Sequence, residues 1–227
     1  MADRPPVPRA VFLTGGTGYL GRSLLTALAA RGHRVHALAR PASAGKLPPG
    51  VEAVVGDALD AATYASRIAP ADTLVHLVGV AHPSPRKAAL FRSVDQASAE
   101  AAFAAARAAG IRHVVYVSVA QPAPVMRAYV AVRAACEAAL QATGLDATIL
   151  RPWYVLGPGH RWPLALLPLY AVAARLPATA EGARRLGLVT RAQMTAALVE
   201  AVETPEPGVR VWDVPRIRQA TRATIPT

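Results

Sequence analysis

The segment from Val11 to Gly21, VFLTGGTGYLG, places four glycines directly behind an apolar run. Two glycine spacings overlap in this segment. Gly15, Gly18 and Gly21 form GxxGxxG, and Gly16, Gly18 and Gly21 form GxGxxG. Missing side chains let a pyrophosphate approach the backbone, and the N–H groups of a helix N-terminus attract its charge. Glycines also occur in ordinary tight turns. The prediction of a dinucleotide site therefore depends on the position of the glycines between a predicted strand and a predicted helix. The predicted dinucleotide-binding residues are Thr14, Gly15, Gly16, Thr17, Gly18, Tyr19, Leu20 and Gly21.

Arg40 ends the second apolar segment, where an acidic residue would accept hydrogen bonds from the adenosine ribose of NAD. A guanidinium there matches a 2′-phosphate through charge-assisted hydrogen bonds. We therefore predict that NADP(H) is preferred over NAD(H). The alternative is a solvated arginine before Pro41, in a chain that is rich in arginine.

Asp57 follows the third apolar segment, in VVGDAL. Its carboxylate could accept a hydrogen bond from the adenine amino group, with Ala58 beside the ring. An aspartate at this place could equally be the N-cap of a helix. Both interpretations stay open at the level of sequence.

The elements that would position these residues alternate between apolar runs and helical patterns. The runs AVFLTG, HRVHALAR, VEAVVGD, DTLVHLVGV, RHVVYVSV, DATILRP and VRVWDVP predict strands. Helices are predicted at YLGRSLLTALAARG, from Ala88 to Ala109, at about Met126 to Thr143 and at about Arg191 to Glu203. Buried strands that alternate with helices predict an α/β fold with a Rossmann-type doubly wound parallel sheet.

The regular alternation ends at Pro152. We expect one domain over residues 1–227, in which residues 152–227 include a small irregular cap over the ligand-binding edge rather than an independent domain. Residues 160–177 combine aromatic residues and leucines with flanking arginines, which predicts a peripheral membrane contact or, alternatively, a pocket lid or protein-partner contact. The last dozen residues are expected to be frayed.

Composition limits the classes of function. Hydrophobic residues make up 53% of the 227 residues and charged residues 17%, which predicts a compact globular protein. The formal charge of +11 points to anionic partners, but the basic residues are scattered, so nucleic-acid binding is not expected. The N-terminus lacks the apolar core of a secretory signal, and no apolar window is long enough to span a bilayer, so we expect a cytoplasmic location.

The cysteine and histidines do not indicate a metal site. Cys136 is the single cysteine, which excludes an internal disulfide and predicts a small buried residue in a helix. None of His76, His82, His113 and His160 forms a ligand pair at helical spacing with another histidine or a carboxylate, so no metal is expected.

Six segments together resemble the short-chain dehydrogenase/reductase superfamily, in its extended and atypical branches. TGGTGYLG is similar to the TGxxGxxG turn, GD at 56–57 to the adenine-site aspartate, and HLVG at 76–79 to the HLAG segment of strand four. YVSV at 116–119 is similar to the strand of the catalytic serine, YVAVRAACEAAL at 129–140 to the YxxxK helix, and ILRPWYVLGPG at 149–159 to ILRPxxVyGPG. The resemblance covers about residues 11–159, with a weaker match in the terminal strand.

The resemblance implies catalytic positions at Ser118, Tyr129 and Arg133. In the family the serine and tyrosine polarise a carbonyl or alcohol, and the lysine binds the nicotinamide ribose and lowers the pKa of the tyrosine. Here arginine stands at the lysine position and keeps the charge on the same helix face, but it cannot release a proton. Further implied cofactor contacts are Leu77, Val78, Gly79 and Pro152.

Three functions follow from these observations. The first is an NADP(H)-dependent oxidoreductase that transfers a hydride between nicotinamide and a small-molecule substrate, namely a carbonyl, alcohol or enone. The second is a non-catalytic NADPH-binding protein that resembles NmrA-like redox sensors or the accessory subunit of respiratory complex I. The third is nucleotide-sugar epimerisation or dehydration. An oligomer is compatible with each of them.

Overall fold

The computed structural model describes residues 7–158, 181–182 and 184–220. The strands are β1 Ala10–Thr14, β2 Arg34–Ala39, β3 Glu52–Val55, β4 Thr73–His76, β5 His113–Val117, β6 Asp146–Leu150, β7 Tyr154–Leu156, β8 Leu188–Thr190 and β9 Val209–Trp212. Seven of them form one parallel sheet in the order β3-β2-β1-β4-β5-β6-β9. These are the seven strands that the apolar runs predict, and the Rossmann-type doubly wound sheet is confirmed.

Helices cover both faces of this sheet. They are α1 Tyr19–Ala30, α2 Pro41–Ala44, α3 Ala88–Leu90, α4 Ala97–Ala108, α5 Arg127–Ala142, α6 Arg191–Glu203 and α7 Val214–Ala220. Single 3-10 turns occur at Ala61–Thr63, Ala65–Arg67 and Pro85–Lys87, and a π-helical segment, Phe91–Gln96, joins α3 to α4. The helix predicted from Ala88 to Ala109 is therefore present, but its second turn is widened.

Alternate residues of each central strand enter different hydrophobic cores. In β1, Val11 and Leu13 pack with residues of α1, α6 and α7, whereas Phe12 packs on the opposite face with residues of α4 and α5. A strand that is buried on both faces must be apolar at every position, which is why the sequence shows continuous apolar runs.

The structure corrects the sequence analysis at three places. Between Pro152 and the helix predicted at about Arg191, where the sequence analysis expects irregular structure, β7 and β8 form a separate two-stranded parallel ladder. The expected fraying is wrong up to Ala220, because α7 buries Val214 and Ile217 completely. Pro41 ends β2, as expected, but it also begins the short helix α2.

The predicted membrane or partner contact at residues 160–177 lies outside the described residues. None of the helices in the described ranges combines the length and apolar character needed to cross a membrane. The single-domain organisation stays a prediction.

Candidate active site

Most of the predicted site residues lie at one edge of the sheet. The glycine turn follows β1, Arg40 follows β2, Asp57 follows β3, residues 77–79 follow β4, Ser118 follows β5 and Pro152 follows β6. Because all these strands are parallel, their carboxyl ends meet at the same edge, where ligands of such sheets bind. Tyr129 and Arg133 reach this edge from the start of α5.

The glycine turn is packed too closely for side chains. Gly15 has a φ of +82°, and a Cβ there would lie 2.8 Å from the carbonyl carbon of Leu77 and 2.9 Å from the nitrogen of Val78. A Cβ on Gly21 would lie only 2.3 Å from the carbonyl oxygen of Gly15. The turn is thus pressed against the end of β4 on one side and the first turn of α1 on the other. Gly18, in contrast, is exposed, which leaves this side of the turn open to a ligand.

The start of α1 fits the phosphates of a dinucleotide. Its N-cap is Gly18, no side chain of the described residues caps the helix, and its first turn contains no acidic residue. The first N–H groups of an α-helix have no intrahelical partner, and they carry a partial positive charge. The exposed Arg22, which the sequence analysis did not single out, donates from Nε to the Thr17 carbonyl over 3.0 Å and places a further cation beside the turn.

Arg40 is exposed at the end of β2, and no ion pair or hydrogen bond of its side chain is found in the part of the chain that the structure describes. Its backbone forms the N-cap of α2. The charge of this guanidinium is therefore not neutralised by a neighbouring carboxylate. This geometry is compatible with a phosphate ligand and equally with a solvated arginine.

Asp57 is exposed and its Oδ1 accepts a hydrogen bond from the N–H of Leu59 over 3.0 Å, which closes an Asx turn. The alternative role of Asp57 as a helix N-cap is wrong, because the nearby 3-10 turn is capped by Asp60, whose Oδ1 accepts from the N–H of Ala62. Ala58 is half-buried beside Asp57.

Ser118 carries a buried hydroxyl at the end of β5. The residue is 3% exposed, and its Oγ has no hydrogen-bond partner among the described residues. Its backbone N–H donates to the Leu150 carbonyl over 2.8 Å, which fixes its place beside β6. An unpaired buried hydroxyl costs free energy, so a partner supplied by a ligand would stabilise it.

Tyr129 lies half-buried in the first turn of α5. Its ring packs against Phe91 at a centroid distance of 5.0 Å, and the guanidinium carbon of Arg133 lies 5.2 Å from the ring centroid. The cation thus lies on the helix face that the i, i+4 spacing predicts.

Arg133 is enclosed rather than open to a ligand. Its Nη2 donates to Asp95 Oδ1 over 2.6 Å, and its Nη1 donates to the Tyr116 hydroxyl over 3.2 Å and to the Val117 carbonyl over 3.1 Å. Burial opposes the charge, but Tyr129, Tyr116 and Asp95 outweigh it and raise the pKa of Arg133 above its usual value. The guanidinium is a permanent buried cation.

Asp95 is the site residue that sequence reasoning missed. It lies in the π-helical segment with its side chain fully buried, and its Oδ2 accepts from the N–H of Val80 over 2.9 Å. Burial raises the pKa of this carboxyl, while Arg133 and the Val80 N–H act in the opposite direction. The sequence offers one signal, a lone carboxylate where an alanine-rich helix begins, but its partner is 38 residues away.

A chain of buried hydrogen bonds joins the glycine turn to this ion pair. The hydroxyl of Thr14 lies 2.8 Å from His76 Nδ1, His76 Nε2 lies 3.5 Å from Ser98 Oγ, and that hydroxyl donates to the Asp95 carbonyl over 3.3 Å. Burial, assisted by Arg133, lowers the pKa of His76 to about 3, so the ring is neutral. In the tautomer with the ring proton on Nε2, Nδ1 accepts from Thr14 and Nε2 donates to Ser98, whose hydroxyl is then available to donate to Asp95. The Thr14 side chain is therefore committed to the interior, away from the open side of the turn.

The segment after β4 passes directly over Arg133. A Cβ on Gly79 would lie 2.4 Å from Nη2 of Arg133, so the guanidinium needs a glycine at this position. Leu77 and Val78 are half-buried beside the glycine turn. Pro152 is buried, and its carbonyl accepts from the N–H of Ala120, which ties the end of β6 to the loop after Ser118.

A cavity of about 680 Å³ lies between α1, α6 and the end of β7. Its lining combines alanines and aliphatic side chains with an equal number of polar residues, among them Arg31 and Arg191, and none of the predicted site residues lines it. The cavity borders the glycine turn, because two of its lining residues, Gly157 and Arg191, lie against Tyr19.

In the described ranges, no group of three or more His, Cys, Asp or Glu side chains is arranged to hold a metal ion. Cys136 is completely buried on α5, as expected, and burial raises the pKa of its thiol.

Comparison with known proteins gives consistent results. A family model described as NAD(P)H-binding matches residues 15–205. A ceramide reductase from Caulobacter vibrioides is 36% identical over 210 residues, which cover 91% of this chain and 65% of the reductase. A 3-diazoavenalumate denitrifying reductase from Streptomyces is 30% identical over 226 residues, 87% of this chain and 73% of that protein. The chain thus spans slightly less than two thirds of the ceramide reductase.

Solved structures show the same fold. The structure of the Bordetella bronchiseptica enzyme WbmH in complex with NAD+ superimposes on this chain with a TM-score of 0.68 at 22% sequence identity. The superposition covers 91% of this chain and 76% of the WbmH chain. Identity at this level supports the architecture of the sheet and its helices only.

Proposed function

The chain belongs to the NAD(P)H-binding family of the short-chain dehydrogenase/reductase superfamily, and from that premise we propose that it is an NADP(H)-dependent oxidoreductase. The proposed reaction is hydride transfer between the cofactor and a carbonyl, alcohol or enone of a small molecule. The observation that carries the proposal is the buried hydroxyl of Ser118, which has no hydrogen-bond partner among the described residues and lies at the same sheet edge as the glycine turn.

The residues have distinct roles in this proposal. When bound, the nicotinamide supplies the hydride that the carbonyl carbon accepts. Ser118 donates a hydrogen bond to the carbonyl oxygen, and Tyr129 donates the proton that this oxygen takes up. Because arginine cannot pass on a proton, the half-exposed Tyr129 regains its proton from water.

The cofactor preference is proposed from Arg40, whose exposed guanidinium forms no ion pair with any of the described residues and could bind a 2′-phosphate. The change Arg40→Ala should weaken NADPH binding about tenfold or more, since a hydrogen bond to a charged group contributes about 1.5–3 kcal/mol. NADH binding should not change. Isothermal titration calorimetry measures both affinities. Arg34→Ala is the matched control, because Arg34 is an exposed arginine at the other end of the same strand. NADH binding more tightly than NADPH to the unmodified protein would contradict the preference.

Catalysis is tested by following the absorbance of NADPH with a panel of aldehydes, ketones and quinones. The panel should include long-chain lipid ketones, because the Caulobacter relative is named a ceramide reductase. We expect Tyr129→Phe to lower kcat by about a hundredfold or more, because a positioned general acid contributes roughly that factor. The Kd for NADPH should stay the same. Equal turnover by this variant and the unmodified protein would overturn the role of Tyr129.

The enclosure of Arg133 favours a second candidate, a non-catalytic NADPH-binding protein. Asp95, Tyr116 and the Val117 carbonyl already accept three of the five N–H donors of its guanidinium. Tight NADPH binding without oxidation by any carbonyl, unaffected by Tyr129→Phe, would decide for this candidate. Nucleotide-sugar epimerisation is not proposed, because similarity at 22% identity supports the fold alone.

A further inference from the structure

Two neighbouring loops form one surface at the ligand-binding edge. One follows β4 and leads into α3, and the other follows β5 and leads into α5. β4 and β5 are adjacent parallel strands, so these loops lie side by side. The rings of Phe91 and Tyr129 are 5.0 Å apart, and a groove between the two segments is lined by Ala89 and Arg92 on one side and Ala128 on the other. We call this surface the β4–β5 rim, and its outward residues are Arg86, Lys87, Leu90, Arg92, Val125 and Arg127.

The β4–β5 rim carries positive charge without compensation. Arg86, Arg92 and Arg127 are exposed, and within the described ranges none of them forms an ion pair. Lys87 is partly exposed and donates from Nζ to the Ala81 carbonyl. The sequence contains no Asp or Glu from residue 79 to residue 94, and none from 118 to 136.

The first carboxylate after each of these two stretches already forms an ion pair with another residue. Asp95 is buried and paired with Arg133, and Glu137 is paired with Arg151. Within the described ranges, no carboxylate therefore neutralises the positive charge of the β4–β5 rim.

The exposed apolar residues of the β4–β5 rim are aliphatic. Leu90 is 45% exposed and Val125 is 53% exposed, in loops that also carry the cations. A single-stranded nucleic acid would require exposed aromatic rings for base stacking, but Phe91 is buried and Tyr129 half-buried. Protein surfaces that bind anionic membranes typically combine basic residues with exposed apolar side chains.

We propose that the β4–β5 rim docks the protein on an anionic lipid surface. The cations contact lipid phosphates, while Leu90 and Val125 enter the boundary between head groups and acyl chains. In this orientation the carboxyl edge of the sheet, with Ser118 and Tyr129, faces the membrane. The inference depends on the charge and exposure of the rim and not on the proposed oxidoreductase activity.

The test is sedimentation of the full chain with vesicles of phosphatidylcholine, with and without phosphatidylglycerol. We expect binding only with phosphatidylglycerol, and weaker binding as salt screens the charges. Each basic residue near an anionic surface strengthens binding about fivefold, so Arg92→Glu/Arg127→Glu should weaken binding by about 25-fold or more. The control Arg34→Glu/Arg112→Glu reverses two exposed charges at the amino ends of β2 and β5, the opposite edge of the sheet. This control should bind as the unmodified protein does.

A second variant tests the apolar contribution. Leu90→Ser/Val125→Ser keeps every charge and should weaken the binding that persists at high salt. Melting temperature confirms that each variant is folded. Equal sedimentation with pure phosphatidylcholine, equal weakening by the control pair, or tighter binding to polyglutamate or RNA than to phosphatidylglycerol vesicles would each overturn the proposal. Loss of NADPH turnover alone would not affect it.

Discussion

At the scale of single residues, the guanidinium of Arg133 is held by atoms from the π-helical segment and from β5. It donates to a carboxylate, a phenol and a backbone carbonyl at once. An ammonium group offers its donors from one point and could not span these three acceptors, whereas the planar guanidinium does. Arginine thus replaces the family's lysine at a position where three hydrogen-bond acceptors match the shape of a guanidinium.

Two buried histidines make stability depend on pH. Burial, above other causes, lowers the pKa of His76 to about 3 and that of His113 to about 4 in the folded protein. In the unfolded chain both histidines have the usual pKa of 6.5. The contribution of the two neutral rings to the free energy of unfolding is therefore fully present above pH 6.5, and it is lost as the pH falls toward the pKa values of the folded protein. From about pH 7.5 to about pH 5.5 we expect each histidine to lower the free energy of unfolding by about 1 kcal/mol.

Denaturant unfolding at the two pH values measures this effect. In His113→Asn the pH dependence should be about half as steep, because one of the two groups is gone. Equal free energies of unfolding at both pH values would contradict the prediction.

Sequence predicted single residues where a motif encodes the chemistry. The glycines are such a case, because their spacing is local and their physical reason is the absence of a side chain. Asp95 could not be predicted, since its role depends on a partner on another helix. Thr14 was expected at the cofactor, but its hydroxyl turns to His76, and nothing in the local sequence indicates that direction.

At the scale of elements, the glycine turn is held between β4 and α1, and Gly15→Ala tests that contact. Alanine would be strained at a φ of +82°, and its Cβ would also collide with the backbone of Leu77. We expect a loss of at least about 2 kcal/mol in the free energy of unfolding and a loss of NADPH binding. Calorimetry and denaturant unfolding measure the two effects.

Gly110→Ala separates the two causes in that experiment. Gly110 has a φ of +72°, but no described atom lies within 4 Å of a Cβ placed there. This variant should lose only about 1 kcal/mol and keep its affinity for NADPH. If the two alanine variants were equally stable, close packing of the turn against β4 would be refuted.

The hydrophobic pattern of the sequence predicted the strands and helices of the buried sheet. It did not predict the elements that depend on tertiary contacts, namely the π-helical segment and the β7–β8 ladder. The seven strands and the four long helices follow from apolar runs and helix-forming residues. The π-helical segment does not, because an alanine-rich sequence fits any helical register and the widened turn coincides with the pairing of Asp95. The β7–β8 ladder joins strands of only three residues that are far apart in sequence.

At the scale of the whole molecule, α7 completes the core on the face of the sheet that carries α1 and α6. Ile217 is fully buried in this core. Ile217→Ala should lower the free energy of unfolding by about 2–4 kcal/mol, because a buried aliphatic side chain is replaced by a cavity. Gln219→Ala, an exposed position in the same helix, should change it by less than about 0.5 kcal/mol.

Urea unfolding of both variants measures the difference. An unchanged stability of Ile217→Ala would favour the frayed terminus that the sequence analysis expects over the docked helix. The whole-molecule prediction failed here because the terminal segment is short and rich in basic residues, while its few apolar residues fall on one helix face.

The neutral ring of His76 has a consequence for the electric field inside the protein. Thr14 donates to the ring, the ring donates to Ser98, and Ser98 donates to the Asp95 carbonyl, so every donor along the path is oriented the same way. Because the ring gains a second proton only near pH 3, this orientation persists across the whole range in which most proteins work. In this tautomer the interior holds a row of hydrogen-bond dipoles that point the same way beneath the ligand edge for as long as the ring stays neutral.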